Sequence, residues 1–227
     1  MSQYQQPIAA EQSGHQTGAS QYQQATAGAA GTGGQSAQRA GSVPFGTRNC
    51  LSEGTRSSTV ALLEQLLADT ADLVSQVKYA HWNVKGMNFH SLHELFDEIA
   101  ADLDDHADEI AERITALGGR AGGTVRMSAA NSRVPEMDTT ATTGAEFVSV
   151  LADRLAVHDA NLLDALDRSA AAGDSDTTDL LNEISRDVAT SLWFLEAHLQ
   201  GSQGPDGTGQ GFQGQQFQYQ GPLQNQR

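Results

Sequence analysis

Apolar residues in the middle of the chain recur at spacings of three, four and seven, the period of one buried face of an α-helix. From about Ser58 to Lys85 the stripe is Leu63, Leu66, Leu67, Leu73, Val74, Val77 and Val84, and Gly86 ends it. A second stripe holds Leu92, Phe96, Ile99, Leu103, Ile110, Ile114 and Leu117. It predicts a helix from about Phe89 to Leu117, closed by Gly118–Gly119. The Gly-, Ser- and Arg-containing stretch that follows reaches Thr143. It is long for a link between antiparallel neighbours and suits a crossover with room for a short helix. Thr143 and Glu146 have the spacing of a capping box ahead of Phe147 and open a third long helix, which ends near Ala172 before Gly173. A fourth, from about Thr177 to Gln200, turns Leu181, Ile184, Val188, Leu192, Leu195 and Leu199 inward. No alternating β-branched run competes. The expected class is all-α: a four-helix bundle with one long crossover, spanning residues 49–200.

The flanking segments break this pattern. Residues 1–48 are mostly Gln, Gly, Ala, Ser and Thr, and the string Gln-Tyr-Gln-Gln occurs at Gln3–Gln6 and again at Gln21–Gln24. Residues 201–227 are similar, with Phe212, Phe217 and Tyr219 interspersed. Neither holds enough apolar area to offset the entropy of ordering, so both are expected to be disordered tails. Polar tracts of this kind can self-associate weakly.

Charge sharpens the picture. The chain carries 13 Lys+Arg against 28 Asp+Glu, a formal net of −15. The tails hold Arg39, Arg48 and Arg227 against Glu11 and Asp206, so the middle keeps 10 basic and 26 acidic residues. Such a surface repels phosphate backbones and attracts cations. Solubility, or adaptation to high salt, gives the same sign, and charge alone does not separate these readings. A single cysteine, Cys50, excludes an internal disulfide. With no signal-like start and no apolar run of membrane length, a cytoplasmic protein is the expectation.

The chemistry concentrates between His81 and Glu112. With His93 at zero on a helical wheel, Asp97 falls roughly at 40°, Asp108 at 60° and Glu112 at 100°. They form one strip flanking the apolar stripe. Imidazole with carboxylate suits iron, zinc or manganese, whereas oxygen donors alone would suit magnesium or calcium. His93 and Asp97 are one turn apart and fit one metal, as do Asp108 and Glu112. Asp97 and Asp108, however, are separated by roughly 16 Å of helix, against metal–ligand bonds of about 2 Å. Two copies of the helix packed antiparallel about a two-fold axis would face one half-set with the other and make two identical sites. His81, on the neighbouring helix, is placed to complete the first half. A single-chain di-iron bundle would instead use Glu-x-x-His pairs. No histidine of this chain has Glu three residues before it.

These residues carry a family resemblance. His81-Trp82-Asn83-Val84-Lys85-Gly86-Met87-Asn88-Phe89, then Leu92-His93-Glu94-Leu95-Phe96-Asp97-Glu98, Asp108 to Arg113, and Leu117-Gly118-Gly119 resemble the Dps mini-ferritins of the ferritin-like superfamily. The string Trp193-Phe194-Leu195-Glu196-Ala197 is similar to that family's last helix. The resemblance covers about residues 55–200. It implies a ferritin-like bundle, a hollow twelve-subunit shell, and oxidation of Fe²⁺, preferentially by hydrogen peroxide, with ferric mineral stored inside as protection against oxidative stress. It assigns His81, His93 and Asp97 to one subunit's half of the ferroxidase site and Asp108 and Glu112 to the partner's half. It places Trp82 beside the site. Zinc or manganese are possible substitutes for iron.

Weaker candidates stand beside this set. Glu94 and Glu98 resemble interior positions where mineral nucleates. Asp174, Asp176 and Asp179 either line an acidic pore for incoming iron or cap and complement a helix N-terminus. Trp82 either quenches oxidising equivalents or simply fills the core. His90, His106, His158 and His198 show no partner pattern. DNA compaction is the alternative function, and the tails are a third candidate, as self-association segments. Three arginines and no lysine in the tails, beside an acidic core, make DNA binding doubtful.

Overall fold

The computed structural model describes residues 40–200. Within them lie five helices and no strand: α1 Glu53–Asn83, α2 Phe89–Ala116, α3 Val125–Asn131, α4 Gly144–Ala171 and α5 Ser175–Gln200. The long helices pack as two pairs, α1 with α2 and α4 with α5, and α1 also meets α4 and the short α3. The all-α four-helix bundle is thus present. The predicted stripes form its core, with Leu63, Leu66, Leu73, Phe96, Ile110, Phe147, Leu181 and Ile184 at or near zero exposure. Each large apolar side chain buried this way stabilises the bundle by about 1.5–3 kcal/mol. Val74, Leu192 and Leu199 pack at the core's edge.

The helix ends follow local chemistry. α1 starts before Ser58 because the Ser52 Oγ accepts a hydrogen bond from the Thr55 amide at 3.1 Å. The polar residues 53–57 carry no stripe, so periodicity does not detect this first turn. The capping box of α4 forms as expected. The Thr143 and Thr142 amides each donate to Glu146 Oε2 at 2.8 Å. These bonds hold the Glu146 carboxyl down at about 2. α5 begins at Ser175, with Asp174 accepting from the Thr177 amide at 3.1 Å and from its hydroxyl at 2.7 Å.

The crossover contains α3 and is tied down by a buried carboxylate. Asp69, fully buried on α1, accepts from the Arg133 amide at 2.7 Å, its Nε at 3.0 Å and its Nη2 at 2.6 Å. A charge at that depth is sustained only when paired and hydrogen-bonded. Val134 and Met137 then reach the core from the crossover.

Residues 40–48 depart from the expectation of a disordered tail. The Gly41 amide donates to Glu64 Oε2 at 2.9 Å, and Ser57 Oγ donates to the Gly41 carbonyl at 2.5 Å. The Phe45 amide donates to the Gly118 carbonyl at 3.1 Å, with Arg120 over the Phe45 ring. Gly118 has φ +86°, and a Cβ there would come within 2.5 Å of the Phe45 carbonyl oxygen. The folded domain therefore takes in residues 40–48. Main-chain hydrogen bonds and one aromatic ring hold this strap, and composition does not register them. The rest of both expected tails lies outside the described residues. Among the described residues no helix is long and apolar enough to cross a membrane.

Candidate metal centre

The end of α1 and the start of α2 bring His81 and His93 face to face. Their rings stack with centroids 3.7 Å apart and planes 18° apart, and Phe89 lies 5.0 Å from the His93 ring. Each ring is locked by the other's main chain. His81 Nδ1–H donates to the His93 carbonyl at 2.7 Å, and His93 Nδ1–H donates to the His81 carbonyl at 2.9 Å. A carbonyl only accepts, so both Nδ1 atoms carry the proton in the neutral rings and both Nε2 lone pairs are free. This is how a metal-ligating imidazole is oriented and its tautomer selected.

Asp97 sits one turn after His93, 4.0 Å from His81 Nδ1. Its carboxylate accepts from Lys78 Nζ at 2.5 Å. That hydrogen bond holds Asp97 below the usual carboxylate range, with the nearby positive groups adding to it. The pair is half-exposed: Lys78 by 37% and Asp97 by 54%. Lys78 is the neighbour the sequence reading omitted. Its position three residues before His81, on the same α1 face, was the available signal.

Asp108 and Glu112 are exposed on α2, far along the helix from His93. α2 is continuous from Phe89 to Ala116, so the chain does not fold back to bring them to the imidazoles. No group of three or more His, Cys, Asp or Glu side chains gathers into a metal-sized cluster among the described residues. His81, His93 and Asp97 are neighbours at the α1–α2 corner without closing into a metal-sized cluster, and Asp108 and Glu112 lie apart from them.

The other candidates divide. Trp82, next to His81, is 69% exposed, so it does not fill the core. Met87 and Phe89 are exposed beside it. Glu94 accepts from His90 in an exposed i,i+4 pair at 3.2 Å. Glu98 is exposed on a groove between α2 and α5 that Leu95, Ile99, Phe194, Asp102 and Asp187 also line. Asp174 does not line a pore: it is 1% exposed and both oxygens are committed, to the α5 cap and to Arg113 Nη2 at 2.6 Å. The capping alternative holds at that position because an unpaired carboxylate there would be costly. Asp176 is exposed and 3.5 Å from Arg113, and Asp179 is exposed. His198 Nδ1–H donates to the Phe194 carbonyl. His106 and His158, without a pattern in the sequence, prove to be buried.

Residues 60–203 match the family model of the ferritin-like domain. A DNA protection during starvation protein of Agrobacterium fabrum is 37% identical over 154 residues, spanning 68% of this chain and 95% of its own. Among solved structures, DpsC from Streptomyces coelicolor superposes with a TM-score of 0.66 at 32% identity, over 70% of this chain and 92% of that one. Dps from Vibrio cholerae O1, described as a member of a broad superfamily of ferritin-like diiron-carboxylate proteins, gives 0.62 at 27% identity, over 66% and 93%. With this fold, this locked histidine pair and these relatives, the chain belongs to the Dps family of the ferritin-like superfamily.

Proposed function

We propose that the protein is a ferroxidase and iron store whose reactive centre is shared between two chains. His81, His93 and Asp97 of one chain hold Fe²⁺ together with Asp108 and Glu112 of a two-fold mate, within a hollow homo-oligomer, a dodecamer in this reading. The observation that carries it is the locked imidazole pair with free Nε2 atoms. His93 of that pair lies on the same continuous α2 as two exposed carboxylates, Asp108 and Glu112, that it cannot reach. Exposed Trp82, Met87 and Phe89 around the pair supply an apolar rim for the mate to cover. The family membership and the diiron-carboxylate description of the Vibrio cholerae neighbour support iron as the substrate.

Two Fe²⁺ ions give one electron each to hydrogen peroxide. The O–O bond breaks, two protons are taken up and two waters leave, so no hydroxyl radical is released. The carboxylates favour the harder ferric product. Asp97 is ionised at neutral pH and exchanges Lys78 for the metal when iron binds. Glu94, Glu98 and neighbouring acids then collect ferric ions for mineral growth, and Asp176 and Asp179 draw cations towards the shell. Trp82 stands next to the centre, placed to take up stray oxidising equivalents. Zinc and manganese compete for the same donors. The working compartment in this reading is the cytoplasm.

The test is anaerobic Fe²⁺ plus peroxide, followed by ferric absorbance. The native protein should give a fast rise at one peroxide per two irons. His81→Ala and Asp108→Ala should each abolish it while the oligomer mass stays constant. An unchanged rate in both variants removes the assignment.

The relatives' name makes DNA protection the second reading. The acidic middle segment opposes direct DNA contact, so protection here works by consuming iron and peroxide. Sharp retardation of duplex DNA at moderate salt would reverse that conclusion.

A further inference from the structure

Along the seam where α2 meets α5 the bundle surface stays open as a groove of about 240 Å³. Leu95, Ile99 and Phe194 give it apolar walls, and the exposed carboxylates Glu98, Asp102 and Asp187 rim it. Trp193 extends the apolar surface, its ring centroid 5.1 Å from that of Phe194. Trp193 is 61% exposed and Phe194 41%, so two large aromatic rings lie uncovered side by side. Exposed apolar surface rimmed by polar groups marks an interaction site. A dry cavity of roughly 150 Å³ takes a benzene ring, so this groove has room for an aromatic side chain. His81, His93, Asp97, Asp108 and Glu112 take no part in lining it.

We propose that residues 201–227 dock into this groove of their own chain through Phe212, Phe217 and Tyr219, against Trp193 and Phe194. The segment follows directly on α5, which ends at Gln200, six residues after Phe194. The groove's far acid, Asp187, lies thirteen residues back along α5, roughly 20 Å at the helical rise. The twelve residues from Gly201 to Phe212 span up to roughly 40 Å when extended, so the first aromatic reaches the whole groove. Side-chain chemistry matches as well. After Asp206 the segment has no Asp or Glu, and glutamines flank all three aromatics. Their amides donate hydrogen bonds, whereas the ionised rim carboxylates only accept. Arg227 is the one charged side chain beyond Asp206, and its sign is opposite to that of the rim. Tethering holds the segment at an effective concentration on the order of millimolar, so a weak contact is enough to populate the docked state.

The experiment uses the full chain and the fluorescence of Trp193. The chain has 2 tryptophans, so Trp82→Phe leaves Trp193 as the sole reporter. In that background Trp193 should emit at shorter wavelength and be quenched less by acrylamide than in the same chain carrying Phe212→Ser, Phe217→Ser and Tyr219→Ser. Those three substitutions lie beyond α5 and leave every core residue in place. Glu98→Lys with Asp102→Lys, both exposed, should raise the quenching part of the way. Trp193 equally shielded with and without the three aromatics means that a second copy or another surface covers the groove, and overturns the proposal. Trp193 equally open in both overturns it too. A mixed assembly separates the two sources of the segment. The serine variant is combined with a chain that keeps its aromatics but carries Trp82→Phe and Trp193→Phe. Quenching should stay at the open level. Shielding regained there would assign the groove to a neighbouring copy's segment and overturn docking within the chain.

Discussion

Two histidine pairs in this bundle use opposite ring nitrogens. At the α1–α2 corner, His81 and His93 donate Nδ1–H to each other's main-chain carbonyls and leave Nε2 free, with the exposed Asp97 carboxylate 4.0 Å from His81 Nδ1. At mid-bundle, His106 and His158 donate Nε2–H to Asp187 and Thr70 and leave Nδ1 bare in the core. In both places the residue behind the ring decides which nitrogen is available. The difference is solvent. The corner pair can exchange ions with water and with a second chain. The core pair sees only its own helices. A reaction that turns over belongs at the first, and a stability cost belongs at the second.

The largest expected effect tests whether the corner pair needs another chain. His81→Ala and Asp108→Ala should each lose at least about 100-fold in peroxide-dependent Fe²⁺ oxidation, since even outer-shell partners of a metal are worth 10–100-fold. Mixing the two variants before reassembly should restore about a quarter of the sites, because each mixed two-fold dimer holds one intact and one doubly damaged site. Recovery absent from demonstrably mixed shells breaks the shared-site reading.

Stability should separate the pairs next. His158→Ala opens a cavity in the core and should cost about 2–4 kcal/mol, while His81→Ala at the corner should cost at most about 1 kcal/mol. Thermal midpoints at equal protein concentration compare them. A larger loss at His81 than at His158 would reverse the contrast.

Acid should then act through the core pair. His158 titrates near 3 in the folded chain and near its ordinary value when unfolded, so between about pH 6.5 and 3 the unfolded state binds the extra proton. Its contribution is complete above that window and is lost as pH falls, by up to about 1.4 kcal/mol per pH unit. His158→Leu should flatten that limb of the pH–stability curve. Unfolding midpoints measured across the window in both proteins check it, and identical slopes would place the acid response elsewhere.

The smallest effect concerns Lys78. Lys78→Met frees Asp97 from its ammonium partner and should tighten Fe²⁺ binding by a few-fold, measured anaerobically by titration calorimetry. The pair is half-exposed, so solvent screening keeps the gain modest. Weaker binding in that variant would mean that Lys78 supports the site instead of competing for it.

Much of this was legible in the chain. The 3.6-residue stripes named the four long helices, and the Thr143/Glu146 box marked the start of α4 closely, because both depend on near neighbours. The start of α1 was missed by a turn because a polar first turn has no stripe. The strap at residues 40–48 was missed because its bonds run to Glu64, Ser57 and Gly118. His81, His93 and Asp97 were legible as a half-set from spacing on two adjacent helices. Asp174 was ambiguous until Arg113 was seen against it.

By itself the sequence determined which residues face inward, where the helices break, and that Asp97 and Asp108 are too far apart on one helix to share an ion. All of these follow from helical pitch and rise, which are local. Only the tertiary structure decided which nitrogen each histidine offers, that Lys78 sits on Asp97, and that His106 and His158 are buried beside Asp187 and Thr70. Those facts rest on contacts between residues 12 to 88 positions apart, where spacing along the chain carries no information about the partner.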